Sequence, residues 1–172
     1  MSTQQATAAL AGITRSLDRL SSVAIGVAAI ALLGLVVVQG WQVFARYVMN
    51  DSPSWTEPVT LLLLSTAMSL GAAAAVHDNR HFGFFLLAEA MPPGPKRVVS
   101  LVPPLVIIAI GAVLAYWGMV LLMDGLGVPA AGAALPQSIA YLPLSVGGAL
   151  MVVFALQRLL MPPSPPAPVE TE

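Results

Sequence analysis

The sequence predicts an all-α integral membrane protein with four transmembrane helices, both termini in the cytoplasm, and an amphipathic helix at the cytoplasmic membrane surface between the second and third spans. Composition is the first indication, because 58% of the 172 residues are hydrophobic and only 9% are charged. A soluble domain carries about 25% charged residues. The spacing of the charges is the second indication, since they separate uncharged stretches long enough to cross a bilayer.

The same composition excludes several classes of protein. Seven Lys and Arg residues nearly balance eight Asp and Glu residues, so the chain has no strongly basic surface for nucleic acid. The sequence contains no cysteine, which removes disulfides, thiolate metal sites and cysteine nucleophiles. The mean hydropathy of +0.86 predicts the lipid bilayer as the surroundings of the chain.

Charged residues mark the ends of the first two spans. A charge costs about 2.5 to 3.5 kcal/mol at the centre of a membrane helix, so uncharged intervals predict the spans. The first span is predicted at residues 20–45, between Arg19 and Arg46, where about 20 helical residues are enough to cross the hydrocarbon. The second is predicted at residues 58–76, with Pro58 in a first turn that needs no N–H.

Prolines and glycines shape the second half of the predicted bundle. Pro103 and Pro104 disfavour a continuous helix through them, so the third span is predicted at residues 104–123. Residues 125–136 contain three glycines and two prolines, which predicts an irregular connection. The last span follows at residues 137–157, and a proline in its second turn predicts a kink.

Basic residues predict the orientation of the helices. Six of the seven Lys and Arg residues fall on the side of the membrane that holds both termini, and only Arg46 falls on the other side. Because short cytoplasmic flanks are rich in Lys and Arg, we place both termini in the cytoplasm and the connections 50–55 and 125–136 outside. The first apolar stretch is about twice as long as that of a signal peptide, so we expect it to remain attached.

Two segments are neither spans nor ordinary loops. Residues 77–102 form the predicted interfacial segment, in which HFGFFLLAEAM at residues 81–91 has an apolar face that suits a short helix in the headgroup region. The end of the chain, residues 162–172, is rich in proline. It cannot form a packed element and is predicted to be a disordered tail.

The two histidines raise the question of a metal or haem site. His77 and His81 are four residues apart, as two ligands on one helical turn would be. The sequence HDNRH lacks the Glu of the H-E-x-x-H motif, and both residues lie outside the predicted spans. We interpret them as polar anchors at the headgroup level. The weaker alternative is a membrane anchor subunit of a haem-containing electron-transfer complex.

No ionisable residue lies in the middle of any predicted span. Such residues commonly mark ion and substrate pathways, so we predict no catalytic residue, no substrate-binding residue, no metal ion and no cofactor. Glu57, at the edge of the second span, has two interpretations. A carboxylate there either complements the helix dipole, which we favour, or binds a cation or relays protons.

Two stripes of small residues predict close contacts between helices, because lipid provides no hydrophobic drive and tight packing must replace it. Such stripes join either the spans of one chain or the chain and a partner, and the sequence leaves both possibilities open. The stripes are Ala67, Gly71 and Ala75 in the second span, and Gly111 and Ala115 in the third.

Residues 44–82, FARYVMNDSPSWTEPVTLLLLSTAMSLGAAAAVHDNRHF, carry a family resemblance. An Arg-Tyr pair closes the first span, a Trp and an acidic residue open the second, a Gly lies late in it and a His follows. This pattern resembles the small membrane subunit of tripartite ATP-independent periplasmic (TRAP) transporters, the DctQ-like family, and the last span resembles the closing helix of that family. The residues that carry the resemblance are Arg46, Tyr47, Trp55, Glu57, Gly71, His81 and Pro143.

The resemblance implies a non-catalytic subunit of a symporter in the bacterial inner membrane. Its partners would be a large membrane permease, which it braces, and a periplasmic binding protein that captures an organic acid. Arg46, Tyr47, Trp55 and Glu57 would lie near the periplasmic surface, where they hold the turn between spans one and two or contact the partners. An Arg46–Glu57 contact across this turn would be partly exposed and contribute at most about 1 kcal/mol.

Overall fold

The computed structural model describes residues 3–51, 53–78, 93–130, 132–133 and 135–160. Within these residues the chain forms four long helices, and two short helical turns lie beside them. A π-helical turn, Ala45–Met49, extends the first helix, and a 3₁₀ turn, Gln137–Ala140, precedes the last. The long helices are α1 (Thr3–Phe44), α2 (Thr56–His77), α3 (Pro93–Asp124) and α4 (Tyr141–Leu160).

All four helices are long and apolar enough to cross a membrane, which confirms the predicted all-α fold with four spans in the described part of the chain. Large apolar side chains cover their outer faces. Ile30 and Val37 are each 71% exposed and Met68 is 67% exposed, which suits contact with lipid rather than water. The candidate spans are Gly12–Met49, Thr56–His77, Leu101–Asp124 and Gln137–Leu160.

The helices are not arranged in space in their chain order. α1 packs against α2, α2 packs against α4, and α4 packs against α3, so α4 lies between α2 and α3. A small apolar core forms where α2 meets α4, and its buried members are Ala73, Val76, Phe154 and Ala155. Most of the contact between helices is therefore made through α2 and α4.

Glycines bring α4 close to α2. A Cβ atom built on Gly147 would lie 2.6 Å from the Cβ of Ser69 and 2.8 Å from its backbone oxygen, so only a residue without a side chain fits. One turn away, the Ser65 hydroxyl donates to the Ala140 carbonyl at 2.6 Å. The two helices thus approach backbone to backbone, and a hydrogen bond joins α2 to the 3₁₀ turn that precedes α4.

Glycines also bring α4 close to α3. A Cβ on Gly148 would lie 2.7 Å from both the Gly111 carbonyl oxygen and the Ala115 nitrogen. The Ser145 hydroxyl donates to the Ala115 carbonyl at 3.0 Å, and Gly118 lies against Ser145 in the same manner. The stripe of Gly111 and Ala115 therefore serves a contact within the chain.

The prediction that Pro103 and Pro104 interrupt the third helix is wrong. α3 runs without a break from Pro93 to Asp124, with both prolines inside it. Each proline removes a backbone hydrogen bond, but its fixed φ of about −65° is already helical, and membrane helices tolerate proline where neighbouring helices support them. Ile107 and Ile108, which follow the prolines in α3, pack against the apolar core between α2 and α4, which provides that support.

Pro143 lies in a different turn from the one predicted. The 3₁₀ turn occupies Gln137–Ala140, so α4 begins at Tyr141 and buried Pro143 falls in its first turn. The N–H groups of the first turn have no intrahelical partner, so a proline there removes no hydrogen bond of the helix. The physical reason for the expected kink is therefore absent. The predicted interfacial helix with His81, and the proline-rich tail, lie outside the described residues.

Replacing Gly147 with Ala should destabilise the bundle by about 1–3 kcal/mol, because the new methyl group overlaps Ser69 and α4 must move away from α2. The measurement is the thermal unfolding midpoint of the purified chain in mild detergent. The control is Gly40→Ala in α1, where a Cβ meets no atom within 4 Å. Equal midpoints for the two variants would contradict the close α2–α4 packing.

Candidate functional site

The connection between α1 and α2 presents four of the predicted site residues outward. Arg46 and Tyr47 lie in the π-helical turn, and Trp55 and Glu57 lie at the start of α2. All four are exposed, with Tyr47 80% and Trp55 41% accessible. All four lie in or beside the connection between α1 and α2, and we call these four residues the turn surface.

Other residues hold this connection in place. Asn50 adopts a left-handed conformation with φ of 54°, and its N–H donates to the Ala45 carbonyl. Thr56 is fully buried, and its hydroxyl donates to the Pro53 carbonyl at 2.7 Å. The sequence analysis missed Asn50 and Thr56. Asn is the residue type most tolerant of this conformation after Gly, so its position just after a span was the available signal.

The expected contact between Arg46 and Glu57 is not formed. Within the described residues no ion pair joins them, and both side chains are exposed. Exposed charges gain little from pairing because water solvates them, and ordering two long side chains costs conformational entropy. Both side chains therefore extend outward from the turn surface.

The connection between α3 and α4 packs against the connection between α1 and α2, at the same end of the bundle. Gly132 has a φ of 78° and lies against Ser54, so any side chain at this position would collide with it. The connection is closed by a hydrogen bond from the Gln137 N–H to the Val128 carbonyl at 2.8 Å. The two outer connections thus support each other beside the turn surface.

Aromatic side chains gather at this end of the bundle. The chain has three Trp and three Tyr residues, and all six lie towards the end of α1, the start of α2, the end of α3 or the start of α4. Trp and Tyr favour the boundary between lipid and water, so their clustering at this end is typical of a segment that lies at a membrane surface. The six residues are Trp41, Tyr47, Trp55, Tyr116, Trp117 and Tyr141.

A polar cluster that the sequence analysis missed lies at the opposite end, and we call it the His77 cluster. His77 Nε2 lies 2.9 Å from Asp18 Oδ1, and only 15% of the His77 side chain is exposed. The imidazole packs against Phe154, with ring centroids 4.9 Å apart. Arg158 donates to the Val76 carbonyl at 3.1 Å. Side chains from α1, α2 and α4 therefore meet here.

His77 is engaged by Asp18 and Phe154, and His81 lies outside the described residues. Among the residues that the structure describes, no three His, Asp or Glu side chains come together in a way that could hold a metal ion.

Gly71 faces a groove between α1 and α2. A Cβ built on Gly71 would meet no atom within 4 Å, in contrast to the glycines of α3 and α4. The groove has a volume of about 500 Å³, and Asp78 lies at its end. We call it the α1–α2 groove. Small residues from both helices line it, namely Ala28, Ala29, Ala67, Gly71, Ala74 and Ala75.

Four apolar helices with charged residues at their ends define a multi-pass membrane protein. The family model described as "Tripartite ATP-independent periplasmic transporters, DctQ component" matches residues 35–162. The chain belongs to this family and is a small subunit of a TRAP transporter in the inner membrane. The resemblance carried by residues 44–82 is thereby confirmed, and the alternative of a haem-complex anchor is not favoured.

Two proteins similar to this chain are named as TRAP transporter small permease proteins. The chain is 29% identical over 86 residues to the sialic acid TRAP transporter small permease protein SiaQ of Vibrio cholerae, a match that covers 48% of this chain and 49% of that protein. It is 23% identical over 147 residues to a putative TRAP transporter small permease protein of Haemophilus influenzae, covering 85% and 91%. The match thus spans about half of the Vibrio protein and most of the Haemophilus protein.

Replacing His77 with Ala should destabilise the chain more than replacing Asp18 with Asn. The His77 ring is mostly buried against Phe154, so its loss should cost about 2 kcal/mol. Asp18 is 56% exposed, so losing its charge should cost at most about 1 kcal/mol. Thermal unfolding in detergent measures which of the two variants loses more stability. A larger effect of the Asp18 variant would show that ring packing is not the main contribution of His77 to stability.

Proposed function

We propose that the chain is the non-catalytic small membrane subunit of a TRAP-type secondary active transporter. It braces the large permease during ion-coupled uptake of an organic acid that a periplasmic binding protein delivers. The name of the Vibrio relative specifies sialic acid, which is an organic acid, and we carry over only that class of substrate. Its partners are the large permease, the binding protein and the bilayer.

The close packing of α4 carries this proposal. Gly147 fits against Ser69 of α2, and Gly148 fits against Gly111 of α3, so the helices touch where a moving carrier would need space for a solute. The hydroxyls of Ser65 and Ser145 donate to carbonyls of neighbouring segments. Polar groups inside the bundle thus hold helices together, as expected of a framework.

The turn surface is the proposed periplasmic contact region. Six of the seven basic residues flank the other end of the spans, which favours a cytoplasmic location for both termini. Arg46, Tyr47, Trp55 and Glu57 then face the periplasm. Because they extend outward and Arg46 does not pair with Glu57, we propose that they contact the large permease or the binding protein.

Deleting the chain from cells that take up a labelled organic acid through the complete transporter should abolish uptake, and the large permease expressed alone should not restore it. Purified chain reconstituted alone into vesicles should accumulate no organic acid under a sodium or proton gradient. Vesicles that hold all three components provide the positive control. Accumulation by the isolated chain would overturn the proposal, since a brace has no transport pathway of its own.

A cross-link between α1 and α2 tests whether the chain acts as a static brace. The chain has no cysteine, so Asp18→Cys and His77→Cys together provide one reactive pair where the native side chains are 2.9 Å apart. A short bifunctional thiol reagent should leave the uptake rate of the reconstituted transporter within about twofold of the untreated double variant. The single Asp18→Cys variant controls for the reagent. A loss of tenfold or more only in the double variant would show that the helices must move.

A further inference from the structure

We propose that Arg15 and Arg19 of α1 form a binding site for the phosphate groups of an anionic phospholipid. The site is separate from the proposed function, because it concerns the bilayer around the chain and not the other subunits of a transporter. Three observations carry it, which are the arrangement of the two arginines on α1, the lack of a partner for them among the described residues, and their level in the membrane.

Arg15 and Arg19 lie one turn apart on the same face of α1, and both residues are exposed. Residues four apart on a helix are neighbours, so the two guanidinium groups can reach one ligand together. Two positive charges at this spacing repel each other and weaken the helix. A phosphate between them would relieve the repulsion, and the planar guanidinium group forms paired hydrogen bonds with phosphate oxygens.

No side chain of the described residues forms an ion pair or hydrogen bond with either arginine. Asp18 lies between them in the sequence, but its Oδ1 atom is 2.9 Å from His77 Nε2, so this carboxylate is engaged with α2. Arg158 of α4, at the same end of the bundle, donates to a backbone carbonyl of α2 and thus serves a contact within the chain. Arg15 and Arg19 instead direct two uncompensated positive charges away from the bundle.

The level of Arg19 on α1 matches that of the lipid headgroups. From Arg19 to Trp41 the helix rises about 33 Å at 1.5 Å per residue, close to the thickness of about 30 Å of the hydrocarbon core. Trp41 belongs to the aromatic residues at one end of the bundle, so Arg19 matches the opposite membrane surface and Arg15 lies one turn beyond it. Val23, one turn inside, is 61% exposed, which suits contact with an acyl chain.

The charge of the two arginines decides which phospholipid fits. A phospholipid without net charge carries a cationic group beside its phosphate, and the arginines repel that group. Phosphatidylglycerol and cardiolipin carry phosphate without such a group. On the proposed orientation the site faces the cytoplasmic leaflet, whose anionic lipids attract basic residues near the membrane surface.

Native mass spectrometry of the purified chain in mild detergent tests the site, with phosphatidylglycerol and phosphatidylcholine as the two probes. The wild-type chain should bind phosphatidylglycerol more tightly than phosphatidylcholine. Arg19→Gln should lower the affinity for phosphatidylglycerol about fivefold, and Arg15→Gln with Arg19→Gln about 25-fold, because each basic residue near an anionic surface contributes about 1 kcal/mol. The matched control is Arg46→Gln, which removes one exposed positive charge at the other end of α1 and should change the affinity less than about twofold.

Three results would overturn the site. The first is equal affinity of the wild-type chain for the two lipids, and the second is an equal loss in Arg19→Gln and Arg46→Gln. The third is displacement of the lipid by sodium phosphate at the same concentration as the lipid, which would show that the arginines bind free phosphate. The proposed function does not depend on any of these results.

Thermal unfolding provides a second measurement. Phosphatidylglycerol should raise the unfolding midpoint of the wild-type chain and leave that of the double glutamine variant unchanged. If glutamine itself lowers the midpoint without lipid, Arg15→Lys with Arg19→Lys replaces it, because lysine keeps the charge and loses the planar guanidinium group. The lysine variant should bind phosphatidylglycerol more weakly than the wild-type chain. Equal binding would show attraction by charge alone and would overturn a site for phosphate groups.

Discussion

The architecture depends on the close approach of backbones at the glycines of α3 and α4. Lipid is as apolar as the side chains it surrounds, so helices in a bilayer gain no hydrophobic stabilisation when apolar side chains move from lipid into a helix interface. Close packing must therefore hold the helices together. Gly147 meets Ser69, and Gly148 meets Gly111 and Ala115. Hydroxyl donors from α2 and α4 reinforce these contacts. α4 therefore fixes α2 and α3 on either side of it, and α1 attaches through α2.

The position of the polar residues follows from the same constraint. With the bundle interior closed by glycine, alanine and serine, charges remain at the ends of the spans, where solvation by water and headgroups lowers their cost. One end carries the aromatic residues and the turn surface, and the other carries the His77 cluster. Between them the outer faces are apolar. Such a molecule has exposed surfaces on its outside and a closely packed interior, which fits the bracing role that we propose.

Much of the fold could be predicted from the sequence. Charges are costly inside a bilayer, so the uncharged intervals between them indicate the four spans. The consequences of Pro103 and Pro104 were not predictable, because they depend on the support that α4 gives to α3. The stripes of Gly71 and Gly111 look alike in the sequence, yet one faces outward and the other inward. That difference depends on which helices are neighbours in space. The pairing of Asp18 with His77, which are 59 residues apart, could not be predicted for the same reason. Local motifs, in contrast, were enough to indicate the family.

A distance measurement between spin labels tests most directly the proposal that α2, α4 and α3 form a static framework. Because the chain has no cysteine, Leu61→Cys in α2 and Val113→Cys in α3, both outward facing at 53% and 56% exposure, place one label on each side of α4. In the assembled transporter, a fixed α2–α4–α3 framework predicts one narrow distance distribution that does not change when the coupling ion, the organic acid and the binding protein are added. A second population, or a shift of several ångströms on their addition, would show that these helices move during transport and that the chain is not a static brace.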